Sequence, residues 1–208
     1  MAKTSSFPYG ETDKIIAYLQ GRALKRFRKA KSDLLFFDEL ETLKYARDMY
    51  AEMQSETAKA YLILARNIYK HYYPGSKKTL PMKWVMDRLK DYDPVTMYVF
   101  LYETERKAAR FGEAVIASGD LSRQVNIEMR YWLNMVAQFA EEITDYSAIQ
   151  AFKDRGIKRV KWVSENDERV CHECQDRHGV IYDIDKIPPK PHWRCRCWIV
   201  PVADKRKD

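Results

Sequence analysis

The chain has 208 residues, 46% of them hydrophobic and 32% charged, with a net charge of +7 and only 7 Gly and 8 Pro. That length buries one sizeable core with room for a second small module, and the low Gly and Pro content excludes a low-complexity or disordered chain and favours helices. The charge is uneven: residues 1–33 sum to +5, 34–152 to −2 and 153–208 to +4, so both ends are basic, which suits contact with nucleic acid or an acidic protein surface.

Met1 to Pro8 has one lysine and no apolar stretch behind it, so no signal or transit peptide is readable and a cytoplasmic origin is expected. The longest apolar runs, Tyr61 to Ala65 and Met97 to Tyr102, fall far short of the ~20 residues that span a bilayer. Glu11 to Lys31 reads as a basic helix. Arg22, Lys25, Arg26 and Lys29 are spaced three and four apart and would line one side of it, where they could meet phosphates or an acidic partner without sequence specificity.

From Asp38 to Tyr73 the positions Leu43, Ala46, Tyr50, Met53, Tyr61, Leu64, Ile68 and Tyr72 trace one long amphipathic helix, which Pro74-Gly75 ends. A shorter helix is expected around Met82 to Lys90. Asp93-Pro94 has the form of a helix start, and the apolar line Val95, Tyr98, Tyr102, Ala109, Ile116 carries that helix to Ser118. Gly119 stops it and Asp120 caps the next, where Val125, Met129, Trp132, Val136, Ala140 and Ile143 step by three or four; the two should pack antiparallel. The charged run Glu103, Glu105, Arg106, Lys107, Arg110, Glu113 reads as solvated helix surface rather than a catalytic carboxylate pair. A last short helix, Ser147 to Asp154, ends at Gly156.

Beyond Gly156 the pattern turns β-rich, with extended runs at Ile157 to Val163, Val180 to Tyr182 and Cys195 to Val200. The expected organisation is therefore a helical body over 1–156, its long amphipathic helices packed antiparallel, a small C-terminal α+β or β module over 157–201 and a charged tail over 202–208. All four cysteines lie in the module, as Cys171-His-Glu-Cys174 and His192-Trp-Arg-Cys195-Arg-Cys197. A C-x-x-C turn aims two thiolates at one ion, and Cys195 and Cys197, two apart on a strand, would face the same side and complete a tetrahedron, with His192 able to replace one of them. A reducing compartment favours this structural zinc staple over disulfides, though paired disulfides or buried thiols remain the alternatives. Binding a metal would supply folding energy to a module too small for a large core, and four protein ligands leave no position for a reactive water. His172, inside the C-x-x-C turn, and His178, before Gly179, read as surface residues.

The stretch Trp162-Val-Ser-Glu-Asn-Asp167-Glu-Arg169-Val-Cys171-x-x-Cys174, then Gly179, then Pro191-His192-x-x-Cys195-Arg196-Cys197, closely resembles the C-terminal signature of phage Mu F-like minor head proteins. Upstream, Glu103 to Arg110, the Trp132 helix and Gly156-Ile-x-x-Val160-x-Trp162 extend the likeness to roughly residues 90–201. The resemblance implies a structural, non-enzymatic protein of the virion head. It would be assembled in the host cytoplasm, with the portal, capsid and scaffold proteins as partners, the head interior as its place, and a part in head morphogenesis and in DNA packaging or ejection. Trp162, Asp167 and Arg169 would then be scaffold: Asp167 bracing the turn into Cys171, Trp162 packing under the metal loop. Arg194 and Arg196 would point away from the metal, toward phosphate, portal or capsid. Two other readings compete: a zinc-ribbon module that binds nucleic acid, and an HNH-type nuclease suggested by Asp185, Pro188 and His192. The nuclease needs a histidine base and further ligands around a second metal, and the sequence presents no such set.

Overall fold

The computed structural model describes residues 9–93, 98–165, 170–192, 195 and 197–202, apart from the side chains of Tyr92 and Tyr98. Its elements run α1 (Tyr9–Asp33), α2 (Glu39–Tyr72), α3 (Met82–Lys90), β1 (Tyr92–Asp93), β2 (Tyr98–Val99), α4 (Phe100–Ala117), α5 (Leu121–Asp154), β3 (Arg159–Val163), α6 (His172–Arg177), β4 (Ile181–Asp183) and β5 (Trp198–Val202). The chain is mainly helical, with a small antiparallel sheet ordered β4-β3-β5 at its C-terminal end. No helix among the described residues is long and apolar enough to cross a membrane.

Helices α1, α2, α4 and α5 form an up-down-up-down bundle. Thr12 meets Thr144 while Gln20 donates to the Leu133 carbonyl, which sets α1 antiparallel to α5. Against α2, Gln54 meets Thr104 and Leu43 meets Gly112, so α4 is antiparallel to it as well. By contrast α2 and α5 run parallel across the short diagonal, since Tyr50, Tyr61 and Tyr69 reach Glu128, Val136 and Asp154 in turn. The expectation of antiparallel helices thus holds around the perimeter and not on the diagonal. An aromatic core of Phe27, Tyr50, Phe100, Phe111, Trp132 and Phe139 fills the centre, its rings meeting mostly edge-on or tilted at centroid separations of 5.0–6.4 Å.

The long helix starts where the sequence places it. Asp38 accepts from the Glu41 backbone N–H at 2.8 Å while Glu41 accepts from the Asp38 N–H at 3.0 Å, a capping box that satisfies donors at both ends of the first turn. Asp120 caps α5 by accepting from the Arg123 N–H at 2.9 Å.

Four expectations are corrected. Asp93 does not start a helix: it lies in β1, paired with β2 (Tyr92↔Val99, Asp93↔Tyr98), and α4 begins at Phe100. The carboxyl of Asp93 is buried against Glu142 rather than turned to orphan helix N–H groups. The stripe that faces the core of α4 is Phe100, Glu103, Thr104, Ala108, Phe111 and Gly112, not the line through Tyr102, Ala109 and Ile116, all of which are exposed; Val95 of that line lies outside the described residues. Glu103 is 2% exposed and accepts from Arg106 and from the Tyr131 hydroxyl at 2.6 Å, so the charged run is partly an internal α4–α5 ion network. Lys107 joins it, 3.5 Å from Glu128 and 3.9 Å over the Tyr131 ring. Lastly, Ser147 to Asp154 is no separate helix but the end of the 34-residue α5, inside which Thr144 and Ser147 satisfy their hydroxyls on the Ala140 and Ile143 carbonyls; the chain turns away past Asp154, at Gly156 (φ 74°).

Candidate metal centre

Gly156 adopts the left-handed conformation that lets the chain leave α5 and enter β3. In β3, Val160 and Trp162 point inward and alternate with exposed Arg159 and Lys161, the period-two pattern of a half-buried strand. Trp162 is 3% exposed, meets Tyr182 edge-on and lies under the guanidinium of Arg177, 5.2 Å from its ring centre. Arg177 also donates to the Pro189 carbonyl at 2.7 Å and pairs with Glu173, so it ties α6 to the loop before the second cysteine pair. Nothing in the local sequence signals this role; it needs the fold that brings 162, 177 and 189 together.

The first cysteine caps the short helix α6. Cys171 Sγ accepts the Cys174 backbone N–H at 3.4 Å, which turns both thiols to one side of the knuckle. His192 Nε2 lies 3.1 Å from Cys171 Sγ and 3.6 Å from Cys174 Sγ, and Cys174 Sγ lies 3.5 Å from Cys195 Sγ. Cys171, Cys174 and His192 form one triad of potential ligands, Cys174, Cys195 and Cys197 another, with every ligand atom inside a triad within 4.8 Å of the others. Cys174 is common to both. All four thiols are free, and Cys174, Cys195 and Cys197 are buried. The site can therefore hold a metal ion. Cys195 and Cys197 lie just before β5, which begins at Trp198, so they are not on a strand as expected, although both are buried at the site.

The electrostatics are those of thiols crowded together. Burial works against ionisation of Cys171, but the N–H and thiol of Cys174 and the His192 ring outweigh it and hold the thiol below the ordinary cysteine range. Cys174, desolvated and next to its neighbours' sulfurs, is pushed up to about 12, and Cys195 rises too, through its hydrogen bond with Cys197 and through burial. Three thiolates cannot share so small a volume without a cation among them.

The other residues singled out in the sequence fall elsewhere. His172 is exposed and pairs with Asp176 at 3.0 Å; His178 is exposed, its Nδ1 accepting the Ser164 N–H at 3.2 Å and so bracing the end of β3. On α1, Arg22 and Arg26 face α2, where both meet Glu56 and Arg26 also meets Glu52, and Lys29 pairs with Asp33 at 2.7 Å; Lys25 is exposed. Most of the charge on that face is thus answered within the chain. Asp185 pairs with Lys153 at 2.5 Å. Arg194, Arg196, Asp167 and Arg169, with the contacts expected of them, lie outside the described residues.

Contacts from the helical body reach the metal centre directly. Tyr9, at the start of α1, donates to the Cys197 carbonyl at 2.7 Å and meets Trp198 edge-on. Lys190 extends from the loop before the second cysteine pair to Asp145 of α5, 2.8 Å away, under the Tyr9 ring. Burial opposes the charge on Lys190, but Asp145 and Tyr9 prevail and hold the ammonium above the ordinary lysine range.

A helical bundle that carries a compact cysteine and histidine knuckle on its last helix is the class of protein this fold and site define. Residues 113–200, which take in α5 and nearly all of the knuckle module, match the model of the family described as Phage Mu protein F like protein. The match bears out the resemblance read from the cysteine signature; it begins at 113, so Glu103 to Arg110 lies outside it. No curated protein and no solved structure matches the chain.

Proposed function

We propose that the protein is a structural minor head protein of a tailed bacteriophage, acting in head morphogenesis at the portal and the capsid interior. The observation that carries this reading is the family match over residues 113–200, which includes the whole metal centre. The surface is compatible with a role in assembly: Leu35, Phe36 and Leu40, close together in sequence at the α1–α2 turn, are 68%, 84% and 73% exposed, and neighbouring exposed apolar side chains offer a surface for a partner. The partners would be the portal, with capsid or scaffold proteins, and packaged DNA would be met nonspecifically through the basic ends.

In this reading the knuckle holds a structural zinc through Cys171, Cys174, Cys195 and Cys197, with His192 as the substitute for one of them. The fit is chemical and metric. Two sulfurs on a tetrahedral zinc at about 2.3 Å stand about 3.8 Å apart, and Cys174 and Cys195 are 3.5 Å apart already. Bound zinc would supply cohesion between α6 and the chain before β5. The residues around it do the positioning: Arg177 holds α6 over Trp162, and Tyr9 fixes the Cys197 backbone. With its coordination filled by the chain, such a site serves shape and not hydrolysis, and the protein is proposed to be no enzyme.

Co-expression with the portal and major capsid proteins of the same phage, followed by sedimentation of the particles, tests the assignment. The protein is expected in the head fraction, and Phe36→Ser together with Leu40→Ser is expected to lower its incorporation. A protein that stays at the top of the gradient while heads assemble normally overturns it. DNA affinity falling steeply with salt, without any association with head proteins, would favour the nucleic-acid module instead.

A further inference from the structure

Because α2 and α5 run parallel, their C-termini meet at one end of the bundle, where Arg155 donates to the Tyr72 carbonyl at 2.9 Å and Lys78 pairs with Asp154 at 2.7 Å. These contacts set the link that follows α2 against the chain that leaves α5 for β3. Both segments are basic. Residues 70–78 carry three lysines and no acid, and residues 153–161 carry Lys153, Arg155, Lys158, Arg159 and Lys161 against Asp154 alone. Part of this charge has a structural use. Lys70 and Lys153 stand in the last turns of α2 and α5, where cations offset the carbonyl ends of the helix dipoles, and Lys153 also pairs with Asp185. The remainder is unanswered: Lys77, Lys158 and Lys161 are exposed and, among the described residues, meet no carboxylate, while Arg155 spends one of its five donors on Tyr72. Helix α1 differs. The six cations between Arg22 and Lys31 are met by three acids, Asp33, Glu52 and Glu56, which hold Arg22, Arg26 and Lys29.

We propose that this end of the bundle binds the phosphate backbone of double-stranded DNA through Lys77, Lys158 and Lys161, with Arg155 and Arg159 beside them. The make-up of the surface selects that partner over an acidic protein. Protein interfaces are built round an apolar core and are poor in lysine, whereas none of the large hydrophobic side chains exposed among the described residues falls in 70–78 or 153–161, and the unanswered cations there are lysines. A phosphate backbone presents repeating charge and needs no apolar anchor. A duplex fits better than a single strand, since no exposed Phe, Tyr or Trp stands in either segment to stack an unpaired base. Along β3 the outward residues Arg159 and Lys161 stand roughly 7 Å apart, so they can meet separate phosphates. Contacts of this kind carry no sequence information. The surface gives a location to the nonspecific DNA contact of the head-protein reading and rests on that reading for its setting.

Fluorescence anisotropy of a short mixed-sequence DNA duplex titrated with the full chain, between about 50 and 200 mM salt, tests the proposal. Three phosphate contacts predict a slope of log affinity against log salt of about −3. Lys158→Gln/Lys161→Gln is expected to weaken binding about tenfold or more and to make the slope shallower by about 2. Lys25→Gln/Lys31→Gln removes the same charge from exposed lysines of α1 and is expected to change the affinity by no more than about threefold, because charges beyond a Debye length of the bound DNA are screened. An equal or greater loss in the α1 pair overturns the surface. No saturable binding, or an affinity indifferent to salt, overturns the DNA contact. Polyglutamate that displaces the duplex as well as unlabelled duplex of equal charge overturns the nucleic-acid part and makes an acidic protein the partner. Circular dichroism of each variant shows whether a loss belongs to the surface or to the fold. Incorporation into heads is read separately by sedimentation, so failure of that assignment and failure of this surface are distinguishable.

Discussion

Two buried carboxyls show how neighbours decide the effect of an acid on stability. At Glu103, burial opposes ionisation, but Arg106 and the Tyr131 hydroxyl overcome it and keep the carboxyl below its ordinary range. Its contribution is present above the unfolded value and is lost as the pH falls through the folded one. Replacing it by Ala removes the acceptor that Arg106, itself partly exposed, and the Tyr131 hydroxyl share, and a loss of roughly 1–3 kcal/mol is expected from chemical denaturation. Glu142 is the opposite case. Burial and Asp93 push it up to about 10 from the ordinary carboxyl value of 4.5, so the folded chain keeps a proton that the unfolded chain gives up, and stability falls as the pH rises between those limits. Between pH 4 and 7 this group alone removes on the order of 3 kcal/mol. Glu142→Gln is expected to raise the Tm at neutral pH and flatten its pH dependence; an unchanged Tm-against-pH curve contradicts the assignment.

Among the elements, the contact between α2 and α4 rests on the absence of a side chain at Gly112. A Cβ there would stand 2.9 Å from Leu43 Cδ2 and 3.3 Å from its Cα, so Gly112→Ala is expected to destabilise by about 1–3 kcal/mol from overpacking, less the ~1 kcal/mol that Ala returns as a better helix former. Gly21, in α1 with nothing within 4 Å of such a Cβ, gives the control: Gly21→Ala is expected to stabilise by roughly 0.5–1 kcal/mol. Thermal unfolding of the two variants checks both signs. The elements also show what the sequence carries locally. The α2 and α5 stripes were legible because Tyr50, Met53, Tyr61, Leu64, Trp132 and Val136 are apolar and periodic, and their capping residues stand beside them. The α4 stripe was not, because its buried face includes Glu103, Thr104 and Gly112, residues that look like surface until Arg106, Gln54 and Leu43 meet them. Asp93-Pro94 misled for a similar reason: Asp93 pairs in β1 and turns to Glu142, a residue 49 positions away in sequence.

For the whole molecule, the knuckle is the part the sequence announces most clearly, since four cysteines and a histidine at short spacings leave few arrangements. What joins it to the bundle was not legible. Tyr9, Asp145, Arg177 and Lys190 belong to no motif, and the pocket they adjoin draws on residues from Asp93 to Ile199. These long-range contacts give the metal centre its meaning for the fold. An ion held there would tie α6 to the chain before β5, and with it the Cys197 carbonyl that Tyr9 grips and the loop from which Lys190 reaches α5. Metal loss is therefore expected to loosen the seam between module and bundle while the bundle core, with its own aromatic centre, stays helical.

Elemental mass spectrometry of the purified, reduced chain, run beside Cys174→Ser, tests the central claim most directly, because Cys174 is shared by both ligand triads. About one zinc per chain is expected in the wild type, and its loss in the variant with helical circular dichroism retained. Wild-type protein that is folded, reduced and free of metal contradicts the claim.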